Sequence, residues 1–207
     1  MKKNLVITIG RECGSSGRAI GRKLAESLGI KCYDKELLAL AAKNSGLCEE
    51  LFKTHDEKPT NSFLYSLVMD TYSMGYNTSA YMDMPINHKI FLAQFDTIKK
   101  LADEESCVIV GRCADYVLRE KKNLMRVYIY TSYENKYDNC VNNLAMTPRE
   151  AKKMIRDVDQ ARIAYHMRYA GYMPDENKDI QIDSAFLGVE GTAWYLSQAA
   201  KHRFGVE

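Results

Sequence analysis

Residues 4–34, "NLVITIGRECGSSGRAIGRKLAESLGIKCYD", constrain the fold more than any other stretch of the chain. Residues 4–9, Asn4 apart, are continuously apolar or β-branched, as in a parallel strand covered on both faces. From Gly17 the period changes: Ile20, Leu24 and Leu28 recur every fourth residue with Ala25 beside them, and Gly29 supplies a helix C-terminal cap. A short second strand, 30–34, ends in Asp34. Strand, glycine-rich loop, helix and strand in that order make a βαβ unit, and its crossover is right-handed by strong preference.

The loop between strand and helix, "GRECGSSGRAIG", is where the unit can hold an anion. A phosphate-binding loop reads G-x-x-x-x-G-K-[ST]: its amides form an anion nest, its lysine bridges the outer phosphates and its hydroxyl ligates Mg²⁺. The following helix adds its positive N-terminal dipole. Placing Gly17-Arg18 on Gly-Lys leaves Glu12 at the first glycine and Ala19 at the hydroxyl, so the match is partial. Gly14, Ser15, Ser16 and Gly17 keep the small residues that let backbone wrap a phosphate, and Arg18 keeps a positive charge. Two other readings stay open on these residues. Asp34 stands where an acid would hold the ribose of a dinucleotide, although the glycines do not give G-x-G-x-x-G; and the loop could be a plain turn with Arg18 paired to Glu12.

The rest of the chain extends the alternation. Residues 107–111 and 125–131 read as strands, 179–183 as a further one, and 187–203 as a closing helix with Val189, Ala193, Leu196 and Ala200 on one face. Two stretches interrupt it. Residues 35–105 carry helical patterns and no strand, including the Tyr- and Met-rich 60–84; residues 147–175 read as one long helix and a turn, with Thr147 and Glu150 forming a capping box. The expectation is an α/β fold of one domain over 1–207, with a core of 1–34, 106–146 and 176–207, a helical insertion at 35–105 and a lid at 147–175.

Composition excludes several classes. With 29 basic and 27 acidic residues the net charge is +2, which argues against a polyanion-coating protein and a nucleic-acid partner. No apolar run reaches the ~20 residues that span a bilayer, and the N-terminal one is too short for a signal peptide. Six scattered cysteines form no C-x-x-C pair and have no His-rich partner, so neither zinc nor a disulfide framework is expected; reduced thiols in a cytoplasmic protein are.

"ITIGRECGSSGRAIGRKLAESLGIKCYDKELL", "VIVGRCADYVL" and "DSAFLGVEG" together resemble three stations of the cytidylate kinase-like family, relatives of the nucleoside monophosphate kinases. The similarity runs from residue 4 to about 197 and is weakest over 45–100. It implies a P-loop NTPase three-layer fold with a parallel five-stranded sheet, a helical acceptor-domain insertion and a helical lid. It also implies transfer of the γ-phosphoryl of ATP, with Mg²⁺, to a small acceptor, most simply a nucleoside monophosphate such as CMP. By this resemblance Gly14, Ser15, Ser16, Gly17, Arg18 and Ala19, with Asp183 and Ser184 beside the base, bind the donor nucleotide. Asp34, Arg112, Asp115 and Asp159 contact the acceptor, and Arg18, Arg112 and Arg162 are the catalytic, charge-stabilising trio.

Each assignment has a plainer counterpart. Arg156, Asp159 and Arg162 are also ordinary surface pairs along a helix, Arg112 an ion pair at a strand end, and Asp34 an N-cap. Two departures bear on activity. Neither Ala19 nor Ile20 offers Mg²⁺ a hydroxyl, and no arginine occurs between Lys23 and Gly111, where monophosphate kinases carry an acceptor clamp. The alternative expectation is therefore a weakly active or inactive nucleotide-binding sensor or scaffold.

Overall fold

In the computed structural model, which describes residues 4–46, 48–55 and 86–205, alternate side chains of each central strand feed two different cores. The strands are β1 (Val6–Arg11), β2 (Lys31–Tyr33), β3 (Cys107–Val110), β4 (Leu124–Tyr130) and β5 (Ile180–Asp183). They form one parallel sheet in the order β2-β3-β1-β4-β5. Ile7 and Ile9 of β1, with Val108 and Val110 of β3, point to the layer made by α1 (Gly17–Ser27) and the last helix, meeting Ile20, Leu24, Leu196 and Ala200. Val6, Cys107 and Ile109 point the other way, toward Leu37, Phe91, Phe95, Ile98 and Tyr169. This period-two division explains the unbroken apolar runs of the sequence: both sheet faces are covered.

The helices of the second layer are α2 (Glu36–Ser45), α3 (Glu49–His55) and α4 (Ile86–Glu104). The Tyr- and Met-rich segment 60–84 read as helical lies outside the described residues. After β3 comes the short α5 (Ala114–Val117), and after β4 comes α6 (Tyr133–Asp138), which runs on as a π-helical turn over Asn139–Asn143. The next helix, α7 (Pro148–Ala170), starts at the expected capping box: the Glu150 amide donates to Thr147 Oγ1 at 3.4 Å and the Thr147 amide to Glu150 Oε2 at 2.9 Å. The last, α8 (Ser184–Phe204), begins three residues before the expected 187, because the Asp183 carboxylate caps it by accepting the Ala185 amide at 2.9 Å, and it kinks at Gly188 (φ 65°).

The C-terminal half of α7 belongs to the core. Tyr165 and Tyr169 are buried, and the Tyr169 ring stacks on Phe91 of α4 with centroids 3.9 Å apart. Its N-terminal half packs Ala151 and Ile155 against Cys13 and Cys140. The long helix thus lies over the carboxyl ends of β1 and β3, the edge at which open parallel sheets bind ligands.

Candidate functional site

Between β1 and α1 the chain makes a turn that only small residues permit. Gly14 (φ 74°) and Ser16 (φ 57°) take left-handed conformations. A Cβ on Gly14 would lie 2.8 Å from Lys136 Cα, and one on Gly17 2.6 Å from Arg11 Cβ, so the backbone passes other atoms too closely for a side chain. Ser15 is buried and its hydroxyl donates to the Glu12 carbonyl at 3.0 Å. The first helical bond joins the Ile20 amide to the Ser16 carbonyl. Among the described residues, the amides of Gly14, Ser16, Gly17, Arg18 and Ala19 have no acceptor in the protein. These residues border a cavity of about 300 Å³, open to solvent, whose other lining residues include Asn139, Asn143, Met154 and Arg162. A helix N-terminus with unclaimed amides facing a cavity is an anion site by its electrostatics.

The cations around it are distributed differently from the sequence expectation. Arg18, about half exposed, forms an ion pair through Nε with Asp34 Oδ2 at 2.5 Å, while Glu12 pairs with Lys136 at 3.0 Å. Arg112 Nη1 reaches Asp34 Oδ1 at 2.8 Å and the Val110 carbonyl at 2.9 Å. Both Asp34 and Arg112 have side chains 1% exposed. Burial alone would raise the Asp34 pKa, but the Arg112 hydrogen bond and the charges of Arg112, Arg18 and Arg11 outweigh it and hold the carboxyl below its ordinary value. Asp34 is therefore the hub of two guanidinium contacts rather than a side-chain cap for α2. Gly111, Arg112 and Cys113 carry positive φ in succession (81°, 54° and 52°), a costly turn that brings the Arg112 side chain back against the sheet end.

Over the loop lies α7. Arg162 Nη1 donates to the Arg11 carbonyl at 3.4 Å. Asp159 accepts the Cys13 amide on Oδ1 at 2.6 Å and the Lys136 ammonium on Oδ2 at 2.9 Å. Glu12 Oε2 also accepts the Thr131 amide at 3.1 Å, which ties the loop to the end of β4. Arg156 pairs with its neighbour Asp157 at 2.9 Å on the exposed face. Lys136 escaped the sequence reading entirely: no helix was foreseen between β4 and the lid, so nothing connected residue 136 with residue 14.

A second, smaller cavity of about 30 Å³ lies under α7 at the ends of β1 and β3, with Thr8, Arg112, Asp115 and His166 among its walls; Arg11 and Arg162 border both cavities. Thr8 Oγ1 is buried there without a hydrogen-bond partner. Asp115 is bonded to Lys178 Nζ at 2.7 Å and His166 Nε2 at 3.2 Å, and accepts the Tyr172 hydroxyl at 3.4 Å. Burial would raise its pKa, yet the His166 and Lys178 contacts bring it down to about 2. Asp183 and Ser184 have local partners: the first caps α8, and the second donates its hydroxyl to the Tyr130 carbonyl at 3.3 Å. The structure thus gathers Arg18, Asp34 and Arg112 into one ion-paired group, places Asp115 and Arg162 on the smaller cavity, and engages Asp159 with the loop. Among the described residues no cluster of His, Cys, Asp and Glu could hold a metal by itself, and no helix is long and apolar enough to cross a membrane.

Solved structures are similar to this chain to differing degrees. A protein from Eubacterium ventriosum described as uncharacterized is 27% identical, with a TM-score of 0.72 over 97% of this chain and 100% of its own. The Thermus thermophilus protein TT1252 is 14% identical, with a TM-score of 0.50 over 98% of each chain, a likeness of fold. Shikimate kinase from Aquifex aeolicus gives 17% identity and a TM-score of 0.45 over 97% of this chain and 99% of its own. No curated protein matches. The profile of the cytidylate kinase-like family matches residues 6–185, taking in the glycine loop, the turn after β3 and all of α7. With that span matched and the five-stranded parallel sheet in place, the chain belongs to the cytidylate kinase-like family.

Proposed function

We propose that the protein transfers the γ-phosphoryl group of ATP to a nucleoside monophosphate, CMP being the simplest acceptor. Family membership supports a phosphotransferase of the kinase class. The observation that carries the reading is the pair of cavities meeting at Arg11 and Arg162: one bordered by the unclaimed amides of the glycine loop, the other lying under α7 with Arg112, Asp115 and His166 among its walls. Phosphoryl transfer needs positioning and fixed positive charge more than covalent help. The loop amides hold the donor phosphates. Arg162, at the junction, neutralises charge on the group in transit, while α7 excludes water. Arg112, Asp34 and Asp115 shape the acceptor side. A monophosphate acceptor is already largely dianionic at neutral pH, its second pKa being ~6, so no general base is required.

The residues present fit a polyphosphate, since among the described residues the amides of Gly14, Ser16, Gly17, Arg18 and Ala19 have no acceptor and border the larger cavity. Mg²⁺ accompanying ATP would neutralise charge on the phosphates. With Ala19 in place of a hydroxyl and the Ser15 hydroxyl engaged, the protein oxygens at the cavity edge that could hold it are those of Ser16 and Glu12. The test is ADP release with ATP, Mg²⁺ and each of CMP, UMP, AMP and GMP in turn. Turnover with one pyrimidine monophosphate is expected, and no turnover with any of them would defeat the proposal.

The Arg18–Asp34 ion pair favours a second reading, a nucleotide-binding sensor without turnover, because it turns the loop's own cation toward the acceptor side. In that case ATP binds in calorimetry while ADP release stays at background with every acceptor.

A further inference from the structure

The cation expected of a phosphate loop is engaged elsewhere. Arg18 Nε lies 2.5 Å from a carboxylate oxygen of Asp34, whose other oxygen is held by the buried Arg112. Another cation takes its place beside the loop. α6 passes so near Gly14 that Lys136 Cα would lie 2.8 Å from a Cβ there, and one turn further Asn139 Nδ2 donates to the Gly14 carbonyl at 2.7 Å. These two contacts fix the register of α6 against the loop. The Lys136 side chain is 12% exposed, and its ammonium sits between Glu12 Oε2 at 3.0 Å and Asp159 Oδ2 at 2.9 Å.

The Asp159 carboxylate is bound in an unusual way for a surface helix acid. One oxygen takes a loop amide, that of Cys13 at 2.6 Å, and the other takes an ammonium. A main-chain amide of the loop and a compact cation are the donors that a phosphate oxygen takes in a site of this kind. Two carboxylates share the one ammonium, so a polyphosphate that takes it competes with one of them. Glu12 is anchored to the Thr131 amide at the sheet end, whereas Asp159 rides on α7.

We infer that Lys136 is the phosphate-binding ammonium of this loop and that Asp159 is its internal counter-anion, exchanged for a donor phosphate when nucleotide binds. This rests on the reading of the loop as the ATP site. It assigns to the helix after β4 the duty that the loop lysine performs in the G-x-x-x-x-G-K-[ST] pattern, and it gives Asp159 a role opposed to binding.

The experiment is calorimetric titration of the full-length protein and its variants with ATP and with pyrophosphate, no acceptor present, alongside the melting temperature of each unliganded variant. Lys136→Met should weaken both ligands about tenfold or more, the loss of one charge-assisted contact. Asp159→Asn should tighten both several-fold while lowering the melting temperature. Opposite signs are the signature of competition. A merely structural bridge would move both variants in the same direction, or lower melting temperature with affinity unchanged, and either result overturns the inference. Should Lys136→Met fail to fold, Lys136→Gln and the sign of the Asp159→Asn effect decide the matter. Wild-type protein that bound neither ligand would instead overturn the proposed function. Wild-type binding that is lost in Gly17→Ala yet unmoved by changes at 136 and 159 would overturn this inference alone.

Discussion

Asp115 shows how one residue can carry both architecture and pH dependence. Its carboxylate is buried against Lys178, His166 and the Tyr172 hydroxyl, and its pKa of about 2 lies below the ordinary 3.8. A depressed carboxyl pKa contributes stability that is complete above the unfolded value and disappears as pH falls through the folded one. The contribution is roughly 2 kcal/mol, present above about pH 4 and lost between there and pH 2. Urea denaturation from pH 7 down to pH 2 should therefore give a steep loss in wild-type protein over that window and a flatter one in Asp115→Asn, which is also less stable at pH 7. Superimposable profiles would contradict the assignment. Position 115 was picked out in the sequence by resemblance, but its partners were not legible there. Lys178 and His166 lie 63 and 51 residues further along, and only the parallel arrangement of β1, β3 and β4 beneath α7 brings them together. The glycines were more legible: small residues at 14 and 17 announced a close backbone approach, and the structure names the neighbours as Lys136 and Arg11. Arg18 was legible as a cation and not in its direction, because its partner Asp34 stood in the sequence as a strand-end acid with several possible uses.

At the scale of elements, those with a local signature were readable and those created by tertiary contact were not. The start of α7 was foreseen from Thr147 and Glu150 because a capping box is a property of four consecutive residues. Thr147→Ala should cost about 1 kcal/mol, the usual worth of a lost N-cap, and chemical denaturation should show it as a lower midpoint with an unchanged slope. An unchanged midpoint would mean that the helix end is held by other contacts. In contrast, α6 and its π-helical turn over Asn139–Asn143 carry no strong amphipathic period. They are set by the Ser132 cap, which accepts the Asn135 amide at 3.3 Å, and by the Asn139 bond to the loop. π-Turns inside helices occur frequently at functional sites, and this one borders the larger cavity through Asn139 and Asn143. The stretch 147–175 was legible as a long helix; that the second half of α7 is core follows from the Phe91–Tyr169 stack, a contact no periodicity reveals.

Taken whole, the molecule is a sheet whose carboxyl edge is lined by arginines from four places. Arg11 comes from β1, Arg18 from the first turn of α1, Arg112 from the turn after β3 and Arg162 from α7. No arginine occurs from Lys23 to Gly111, and the smaller cavity is bordered instead by Arg11, Arg112 and Arg162. The fold class was legible in sequence because covered parallel strands leave unbroken apolar runs, and the order β2-β3-β1-β4-β5 puts the two glycine-containing turns, after β1 and β3, side by side. The division of labour among the four arginines was not, since it depends on which carboxylate each one meets. The central claim, that the amides of the glycine loop enclose donor phosphates, is tested most directly by amide hydrogen exchange of the full chain with and without saturating ATP. Slowed exchange concentrated at Gly14 and at Ser16 to Ala19 is the predicted result. ATP binding that leaves those amides exchanging at their unliganded rates, with protection elsewhere, would contradict it.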